Sequence, residues 1–349
     1  MLVKEIKLNN YRNYSNISIP LYSSLNIIVG PNGIGKTNIL ESIVVCSNTK
    51  SFRTTNDKDL IQKNKEYSKI EINADVGNLK IVINQTGKSL FINDKPIKKT
   101  SEYIGKLNAI LFKPADIELF NQSPKERRRL LDIELEKINN EYLSSMIIYG
   151  KLLKDKNKLL KENNINKEYL ELINEKMIPN IINIINIREE FFKKINSKIS
   201  EIYNKISNTN SKIELVYKKC SLQKNIKEEI EKSYEKDLLY HYATFGPHHE
   251  DYYFKIDGND LNSYASQGQK RMVFISFKFA IIDFIKESSH NTPIILLDDV
   301  LSELDSNNQN RLIQMLPEDA QILITDTNIN EIKIDKKYNL IRLKEKQDG

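Results

Sequence analysis

The segment from Gly30 to Thr37 fits the pattern G-x-x-x-x-G-K-[ST] at every position. In such a loop, glycines let the backbone curl so that its amides face phosphate groups, a lysine reaches the β- and γ-phosphates, and a hydroxyl binds Mg²⁺. The residues concerned are Gly30, Pro31, Asn32, Gly33, Ile34, Gly35, Lys36 and Thr37. We therefore predict that this loop binds a nucleoside triphosphate, ATP with Mg²⁺.

Two adjacent acids near the C-terminus supply the second half of such a site. Asp298 and Asp299 follow four apolar residues, 294–297, which have the character of a buried strand. We expect Asp298 to hold Mg²⁺, directly or through water. We expect Asp299 to orient or deprotonate the attacking water, with positioning mattering more than basicity because a carboxylate is a weak base. A plain turn after a strand is the alternative interpretation.

A third segment, SQGQ at 266–269, begins a helical pattern that ends near residue 286. Ser266 is a good N-cap, and the amides of the first helical turn together with Gly268 form a phosphate site. An ordinary helix cap is the other interpretation. The acid pair comes about 30 residues later and is followed by SELD at 302–305.

The elements that must position these residues change in character along the chain. Short strand patterns surround one helix in residues 1–120, with an apolar run at 25–29 directly before the loop. Residues 121–210 show helical spacing from the capping sequence SPKE onward, with a bend expected at 163–164 and a kink at Pro179. Strand patterns return in 211–349. We predict an α/β ATPase head built from both ends of the chain, with an inserted helical lobe that is short and coiled-coil-like or a plain helical lobe.

The composition excludes several classes of protein. With 40% apolar and 29% charged residues among 349, it is typical of a soluble globular chain. No run of about 18 apolar residues is free of charge, and Glu5 lies where a signal peptide needs apolar residues, so we expect no membrane segment and a cytoplasmic location. Cys46 and Cys220 lie far apart in sequence, which favours reduced thiols over zinc ligands. The net charge of +6 permits nucleic-acid binding without demonstrating it.

The order of these motifs resembles that of ABC-type ATPase heads, including the SMC group, and more closely that of the RecF family of bacterial DNA repair and replication proteins. The segments that carry the resemblance are NYRNY at 10–14, TNILE at 37–41, KSFR at 50–53, FKPAD at 112–116, RRRLLD at 127–132, GPH at 246–248, SQGQ at 266–269 and LDDVLSELD at 297–305. They cover nearly the whole chain in family order, and the helical insertion is far too short for an SMC arm.

The resemblance implies an ABC/SMC-type head that dimerises around ATP. Ser266, Gly268 and Gln269 of one subunit would contact the γ-phosphate held by the other subunit's loop, so that Ser266 acts with Lys36 and Asp299 in catalysis. Asp305 would lie near that interface, and Arg12 would contact the nucleotide. The resemblance also implies action at gaps and stalled forks, recombinase loading on single-stranded DNA with RecO- and RecR-like partners, and a link to the SOS response.

Two departures from related sequences bear on activity. The family's Gly-Pro-His-Arg-Asp-Asp is GPHHED at 246–251, so His249 replaces an arginine and is charged only when protonated. Where transporters of this class carry a histidine after the last strand, this chain has Thr325-Asp326-Thr327. Since threonine cannot act as a charged γ-phosphate sensor, we expect slow hydrolysis, stimulated by DNA. No residue is assigned to a glutamine loop.

Candidate DNA contacts are basic side chains, although such residues are more often solvated or paired within the protein. They are Lys50, Arg53, Arg127, Arg128 and Arg129. No base-reading motif is visible, so we expect sequence-independent, salt-sensitive binding to duplex and gapped DNA. Two other functions stay open: the ATPase subunit of a membrane transporter, which DNA-stimulated turnover would exclude, and a non-hydrolysing nucleotide-binding scaffold, which a phosphate-release assay would exclude.

Overall fold

The computed structural model describes residues 1–222, 225–327 and 337–344. The strands are β1 Val3–Tyr11, β2 Tyr14–Pro20, β3 Leu25–Val29, β4 Tyr67–Ala74, β5 Gly77–Asn84, β6 Gly87–Ile92, β7 Lys95–Ile97, β8 Ala109–Phe112, β9 Ile213–Lys218, β10 Asp251–Ile256, β11 Asn259–Asp260, β12 Ile294–Asp298, β13 Ile322–Asp326 and β14 Tyr338–Arg342. The α-helices are α1 Lys36–Asn48, α2 Pro124–Ile138, α3 Asn140–Leu159, α4 Lys167–Ser207, α5 Ile226–Tyr240, α6 Leu261–Tyr264, α7 Gln267–Ser289 and α8 Ser306–Met315. Short 3-10 helices lie at Asp57–Leu60, Thr100–Glu102, Pro114–Asn121, Pro247–His249 and Leu301–Glu303.

The chain divides into two compact units. The first unit comprises Met1–Asp116, Asn204–Thr209 and Phe274–Gly349, and the second unit comprises Ile117–Tyr203 and Asn210–Val273. The first unit holds a five-stranded parallel sheet, ordered β14-β3-β13-β12-β8, and a six-stranded antiparallel sheet, ordered β2-β1-β4-β5-β6-β7. Strands from both ends of the chain lie side by side in the parallel sheet, which confirms the predicted α/β head.

Hydrophobic patterning explains how the first unit packs. Every residue of β3, β12 and β13 is buried, as expected for apolar strands of a parallel sheet. One core includes Ile6 of β1, Ile43 of α1, Leu296 of β12 and Leu323 of β13, so α1 shares that core with both sheets. Because the carboxyl ends of parallel strands meet at one edge, the loops after β3, β12 and β13 lie together there.

The second unit combines helices with the small antiparallel sheet β11-β10-β9. The predicted domain boundary at residue 211 differs from this division, because β9 is bonded to α4. The Asn196 side chain donates to the Leu215 carbonyl at 2.8 Å, and the Ser200 hydroxyl donates to the Ile213 carbonyl at 2.9 Å. Residues 211–273 therefore belong with the helical unit rather than with the ATPase part to which the sequence pattern assigned them.

The helical part follows the sequence prediction with one additional break. The expected capping box starts α2, where the Ser123 side chain and the Glu126 carboxylate each bond the other's backbone amide. The helix stops at Asn139, whose side chain accepts from the Tyr142 amide and caps α3. The bend at 163–164 falls between α3 and α4, while α4 continues through Pro179. Within the described residues, none of the helices combines the length and apolarity that crossing a bilayer demands.

Candidate functional site

The loop predicted to bind phosphate, which begins at Gly30, connects β3 to α1, as the sequence predicts. The Lys36 ammonium group donates to the carbonyl oxygens of Gly30 at 2.8 Å and of Pro31 at 3.2 Å, so it lies inside the curl of the loop. Gly35 occupies the N-cap position of α1. Among the described residues, no side chain caps this end of the helix. The Asn38 amide donates to the Gly35 carbonyl at 2.9 Å, and the amides before it lie at the start of α1, where the helix dipole favours negative charge.

Two glycines of the loop adopt backbone angles that side chains disfavour. Gly33 has φ of 81° and Gly35 has φ of 116°. A Cβ atom on Gly35 would lie 2.5 Å from the Tyr14 hydroxyl and 2.8 Å from the Asn13 side chain, whereas one on Gly33 would meet nothing within 4 Å. Gly35 is thus required for backbone angle and for space, and Gly33 for backbone angle alone.

The loop and the acid pair come together at the edge of the parallel sheet. The Thr37 hydroxyl donates to Asp298 Oδ1 at 3.0 Å although 261 positions separate the two residues in sequence. The Thr325 hydroxyl, at the end of β13, donates to the same oxygen at 2.8 Å. The Asp299 amide donates to the Thr325 hydroxyl at 3.0 Å. One threonine therefore fixes both acids, Asp298 through its side chain and Asp299 through its backbone.

The electrostatics of the acid pair suit a cation. Burial raises the pKa of Asp298, against the lowering effect of the hydrogen bonds from Thr325 and Thr37. Burial and the neighbouring Asp298 carboxylate raise the pKa of Asp299. Oxygen ligands from a hydroxyl and a carboxylate are what Mg²⁺ prefers. No group of three or more His, Cys, Asp or Glu residues with metal-binding geometry occurs in the described parts of the chain.

Arg12 lies beside the loop but is engaged by another side chain. Its guanidinium donates twice to the buried Glu41 carboxylate of α1, at 2.9 Å and 2.6 Å, and once to the Asp59 carbonyl at 3.0 Å. Ser51 also donates to Glu41, at 2.5 Å. The predicted contact of Arg12 with the nucleotide stays a prediction, and what the structure adds is the carboxylate that orients this arginine.

An asparagine pair links the same region to the loop backbone. Asn13 donates to the Ile34 carbonyl at 2.7 Å, Asn38 donates to Asn13 at 2.8 Å, and Arg53 donates to Asn38 at 2.7 Å. Residue patterns alone give no role to Asn13, Asn38, Glu41 or Thr325. The sequence marks Asn13, Asn38 and Glu41 only through their positions in the NYRNY and TNILE segments that resemble the family. It marks Thr325 only as the residue that replaces a histidine.

The SQGQ segment belongs to the second unit and forms a capping box. The Ser266 hydroxyl accepts from the Gln269 amide at 3.2 Å, and the Gln269 side chain accepts from the Ser266 amide at 2.9 Å. Ser266, Gly268 and Gln269 line the surface, and a Cβ on Gly268 would meet only Ser266 Oγ, at 3.9 Å. Asp305 caps α8 by accepting from the amides of Asn307 and Asn308. The roles of these residues toward a second subunit stay predictions.

The five basic residues assigned to DNA differ in their surroundings. Arg127 makes a two-point ion pair with Asp251, at 2.9 Å and 2.6 Å, and Arg128 donates to the Glu250 carbonyl. Arg129, Lys50 and Arg53 are exposed. Arg127 and Arg128 thus hold α2 to the start of β10 within the second unit. Arg53, although exposed, donates to Asn38 and lies 3.7 Å from the Glu41 carboxylate. The DNA contacts of all five residues stay predictions.

Comparison with known proteins shows similarity along the whole chain. A family model described as the RecF/RecN/SMC N terminal domain matches residues 2–349. Relatives named DNA replication and repair protein RecF include those of Lachnoclostridium phytofermentans, at 35% identity, and Clostridium acetobutylicum, at 37% identity, each with 98% of both chains covered.

Solved structures agree with these sequence relatives. The structure of the recombination mediator protein RecF with ATP in the RecFOR pathway has a TM-score of 0.89 at 30% identity, over 95% of this chain and 94% of that one. An Smc head domain with an extended coiled coil, from Pyrococcus furiosus, shares the fold, with a TM-score of 0.54 at 19% identity over 94% of this chain and 90% of that one.

Proposed function

The chain belongs to the RecF family, and we propose that it is an ATP- and DNA-binding protein of recombinational repair and replication. The observation that carries the proposal is the 3.0 Å hydrogen bond from Thr37 to Asp298, which joins the phosphate-binding loop to the acid pair. Curated relatives carry the name DNA replication and repair protein, and a solved relative holds ATP.

The residues of the loop would divide the work of binding ATP. The Lys36 ammonium group would exchange the Gly30 and Pro31 carbonyls for phosphate oxygens, and the amides at the start of α1 would bond the same group. Thr37 and Asp298 would hold Mg²⁺, which neutralises negative charge on the phosphate oxygens. Asp299, whose backbone Thr325 fixes, would position the attacking water.

We further propose that ATP links two copies of the chain. The Ser266 hydroxyl and the amide of the exposed Gly268, at the N-terminus of α7, would contact a phosphate group held by another subunit. Asp305 would lie at the same interface. Hydrolysis would remove the link, and its rate would be slow because Thr325 and Thr327 carry no charge.

The DNA contacts of this dimer would be sequence-independent. The exposed residues Lys50, Arg53 and Arg129 would bind backbone phosphates of duplex DNA or gap junctions. By family membership, the protein would act in the cytoplasm with RecR- and RecO-like mediators, aid recombinase loading on single-stranded DNA, and contribute to the SOS response.

The decisive test is ATP-dependent dimerisation on gapped DNA, measured by analytical ultracentrifugation over a series of salt concentrations. Asp299→Asn should bind ATP, hydrolyse it poorly and form a stable dimer with Mg²⁺ present. A monomer in saturating ATP would exclude the dimer. Lys36→Ala serves as the control that should lose nucleotide affinity, and unchanged ATP binding by this variant would exclude the loop as the site.

A further inference from the structure

We propose that the second unit carries a site for single-stranded DNA, formed by the exposed tyrosines Tyr240 and Tyr242 and by lysines on the outer face of α3. The proposal rests on the DNA-binding function proposed above and extends it to a surface that the sequence motifs do not include. Three features support it: a groove, the lysines that line it and a pair of exposed aromatic rings.

The groove lies along α3 and the turn that follows it. Its volume is 450 Å³, and its lining residues are Gly150, Leu153, Lys154, Asn157, Lys158 and Lys161. A Cβ added to Gly150 would meet no atom within 4 Å, so the groove is open above this glycine. Its lining therefore combines one apolar side chain, that of Leu153, and the bare backbone of Gly150 with Asn157 and three lysines.

The lysines give the outer face of α3 a positive charge that the protein does not neutralise. Lys154 and Lys158 lie one turn apart on the same face of α3, and Lys161 lies in the turn that follows the helix. Within the described residues, none of these three ammonium groups has a carboxylate within ion-pair distance. Lys156, on the inner face, is instead buried and paired with Asp237 at 2.8 Å. The outer lysines are thus available to an anionic partner, and a row of them suits a polyanion.

The aromatic pair lies at the end of α5, of which Tyr240 is the last residue, and its segment is hydrogen-bonded to residues at the groove. Tyr240 is 54% exposed and Tyr242 is 45% exposed, with ring centroids 5.9 Å apart and an angle of 34° between the planes. On either side of Tyr242, the His241 ring bonds the Leu160 carbonyl at 3.0 Å, and the Ala243 amide donates to the side chain of Asn157 at 2.7 Å. Asn157 lines the groove, so the segment that carries the rings is attached to the lysine-bearing helix.

Single-stranded DNA is the polyanion that uses all three features. Its phosphates pair with lysines, and its unpaired bases stack on exposed aromatic rings without regard to sequence. In duplex DNA the bases already stack on one another, so the rings would contribute little. An acidic protein segment could pair with the lysines but has no bases to stack on the two tyrosines.

The test compares single-stranded and duplex DNA binding by the full-length protein. The probes are a fluorescein-labelled twenty-nucleotide oligothymidine and a duplex of equal length, each titrated with protein at fixed salt. The double substitution Tyr240→Ala and Tyr242→Ala should weaken oligothymidine binding about tenfold or more and duplex binding less than about twofold. The double substitution to Phe, which keeps both rings, should bind as the wild type does, and Tyr22→Ala, which removes an exposed tyrosine of the first unit, is the matched control.

The lysines are tested through the salt dependence of the same reaction. Lys154→Gln with Lys158→Gln should lower the slope of log affinity against log salt by about 0.7 for each DNA phosphate that the variant no longer binds. Oligothymidine affinity unchanged by both the tyrosine and the lysine substitutions would overturn the proposal. Binding of polyglutamate that these substitutions weaken, with oligothymidine binding unchanged, would also overturn it, in favour of an acidic protein segment. If the wild type binds neither DNA, the proposed function fails; if it binds duplex DNA but not oligothymidine, only this site fails.

Discussion

The Thr325 hydroxyl donates a 2.8 Å hydrogen bond to Asp298 and accepts a 3.0 Å hydrogen bond from the Asp299 amide. Asp299 needs such a restraint because its φ is 51°, a left-handed angle that is unusual for a residue other than glycine. The position that sequence comparison marks as lacking a charged sensor is therefore occupied by a residue that holds the acid pair in place.

Substitution of Thr325 should affect hydrolysis more than binding. Thr325→Val keeps the shape of the side chain but removes both hydrogen bonds, so we expect kcat to fall about ten- to a hundredfold with a much smaller change in ATP affinity. Thr325→Ser, which keeps the hydroxyl, should retain most of the activity. Steady-state phosphate release with DNA and equilibrium ATP binding measure the two effects, and equal losses in both would contradict a positioning role.

Asp298 should account for the metal dependence of nucleotide binding. In the wild type, removing Mg²⁺ with EDTA should weaken ATP binding about tenfold or more, because phosphate charge is no longer neutralised. Asp298→Asn in the presence of Mg²⁺ should bind ATP about as weakly as the wild type in EDTA, and EDTA should change it little further. Fluorescent nucleotide titration measures this, and a full response of the variant to Mg²⁺ would place the metal elsewhere.

Gly35 and Gly33 form a matched pair for testing the loop. Gly35→Ala places a Cβ 2.5 Å from the Tyr14 hydroxyl, so we expect a loss of about 3 kcal/mol in the free energy of unfolding and loss of ATP binding. Gly33→Ala meets no neighbour and should cost only about 1 kcal/mol, from its backbone angle. Urea denaturation compares them, and equal costs would mean that the contact with Tyr14 relaxes.

Substitutions of Arg127 and Arg129 should distinguish an effect on folding stability from an effect on DNA binding. Arg127→Ala breaks a two-point pair in which the Asp251 side chain is only 19% exposed, so the free energy of unfolding should fall by about 1–3 kcal/mol. Arg129→Ala removes an exposed charge and should change stability by less than about 0.5 kcal/mol while weakening DNA binding. A fall in the free energy of unfolding of the Arg129 variant, or no fall in that of the Arg127 variant, would contradict the structural role of Arg127 and the DNA-binding role of Arg129.

His248 should make the protein less stable in acid. Burial lowers its pKa from 6.5 to about 4, and the ring lies 2.5 Å from the Tyr149 hydroxyl and 3.0 Å from the Ala243 carbonyl. Well above pH 6.5 the ring is neutral in both the folded and the unfolded state and adds no pH dependence to the free energy of unfolding. Between pH 6.5 and about 4 the unfolded chain takes up the proton first, so the free energy of unfolding should fall by up to about 3 kcal/mol.

Urea midpoints between pH 7 and pH 4.5 measure this effect. His248→Gln should flatten the pH dependence even if the variant is less stable at pH 7. His290→Asn is the control, because His290 is exposed and has φ of 53°, an angle that Asn tolerates. The same acid sensitivity in both variants would show that other groups cause it.

Local patterns in the sequence were sufficient to locate the loop, the acid pair and the strands that carry them. Gly30 to Thr37 and Asp298 are defined by residue type and spacing over a few positions, and parallel strands bring them together. The pairing of Arg12 with Glu41 and of Arg127 with Asp251 depends on tertiary packing across 29 and 124 positions, which no local pattern contains. The same holds for β9, whose alternating pattern fits any sheet and does not indicate that it packs on α4.

The neighbours of β3 in the parallel sheet have a consequence for biosynthesis. This strand, at residues 25–29, pairs only with β13 at 322–326 and β14 at 338–342 in the described sheet. A ribosome must therefore translate past residue 322 before the strand that leads into the loop at residues 30–37 gains either partner. A nascent or prematurely terminated polypeptide that stops before residue 322 leaves both edges of that strand open. The loop at residues 30–37 thus gains its flanking sheet only after residue 322 has been made, and shorter products should be left to chaperones and proteases.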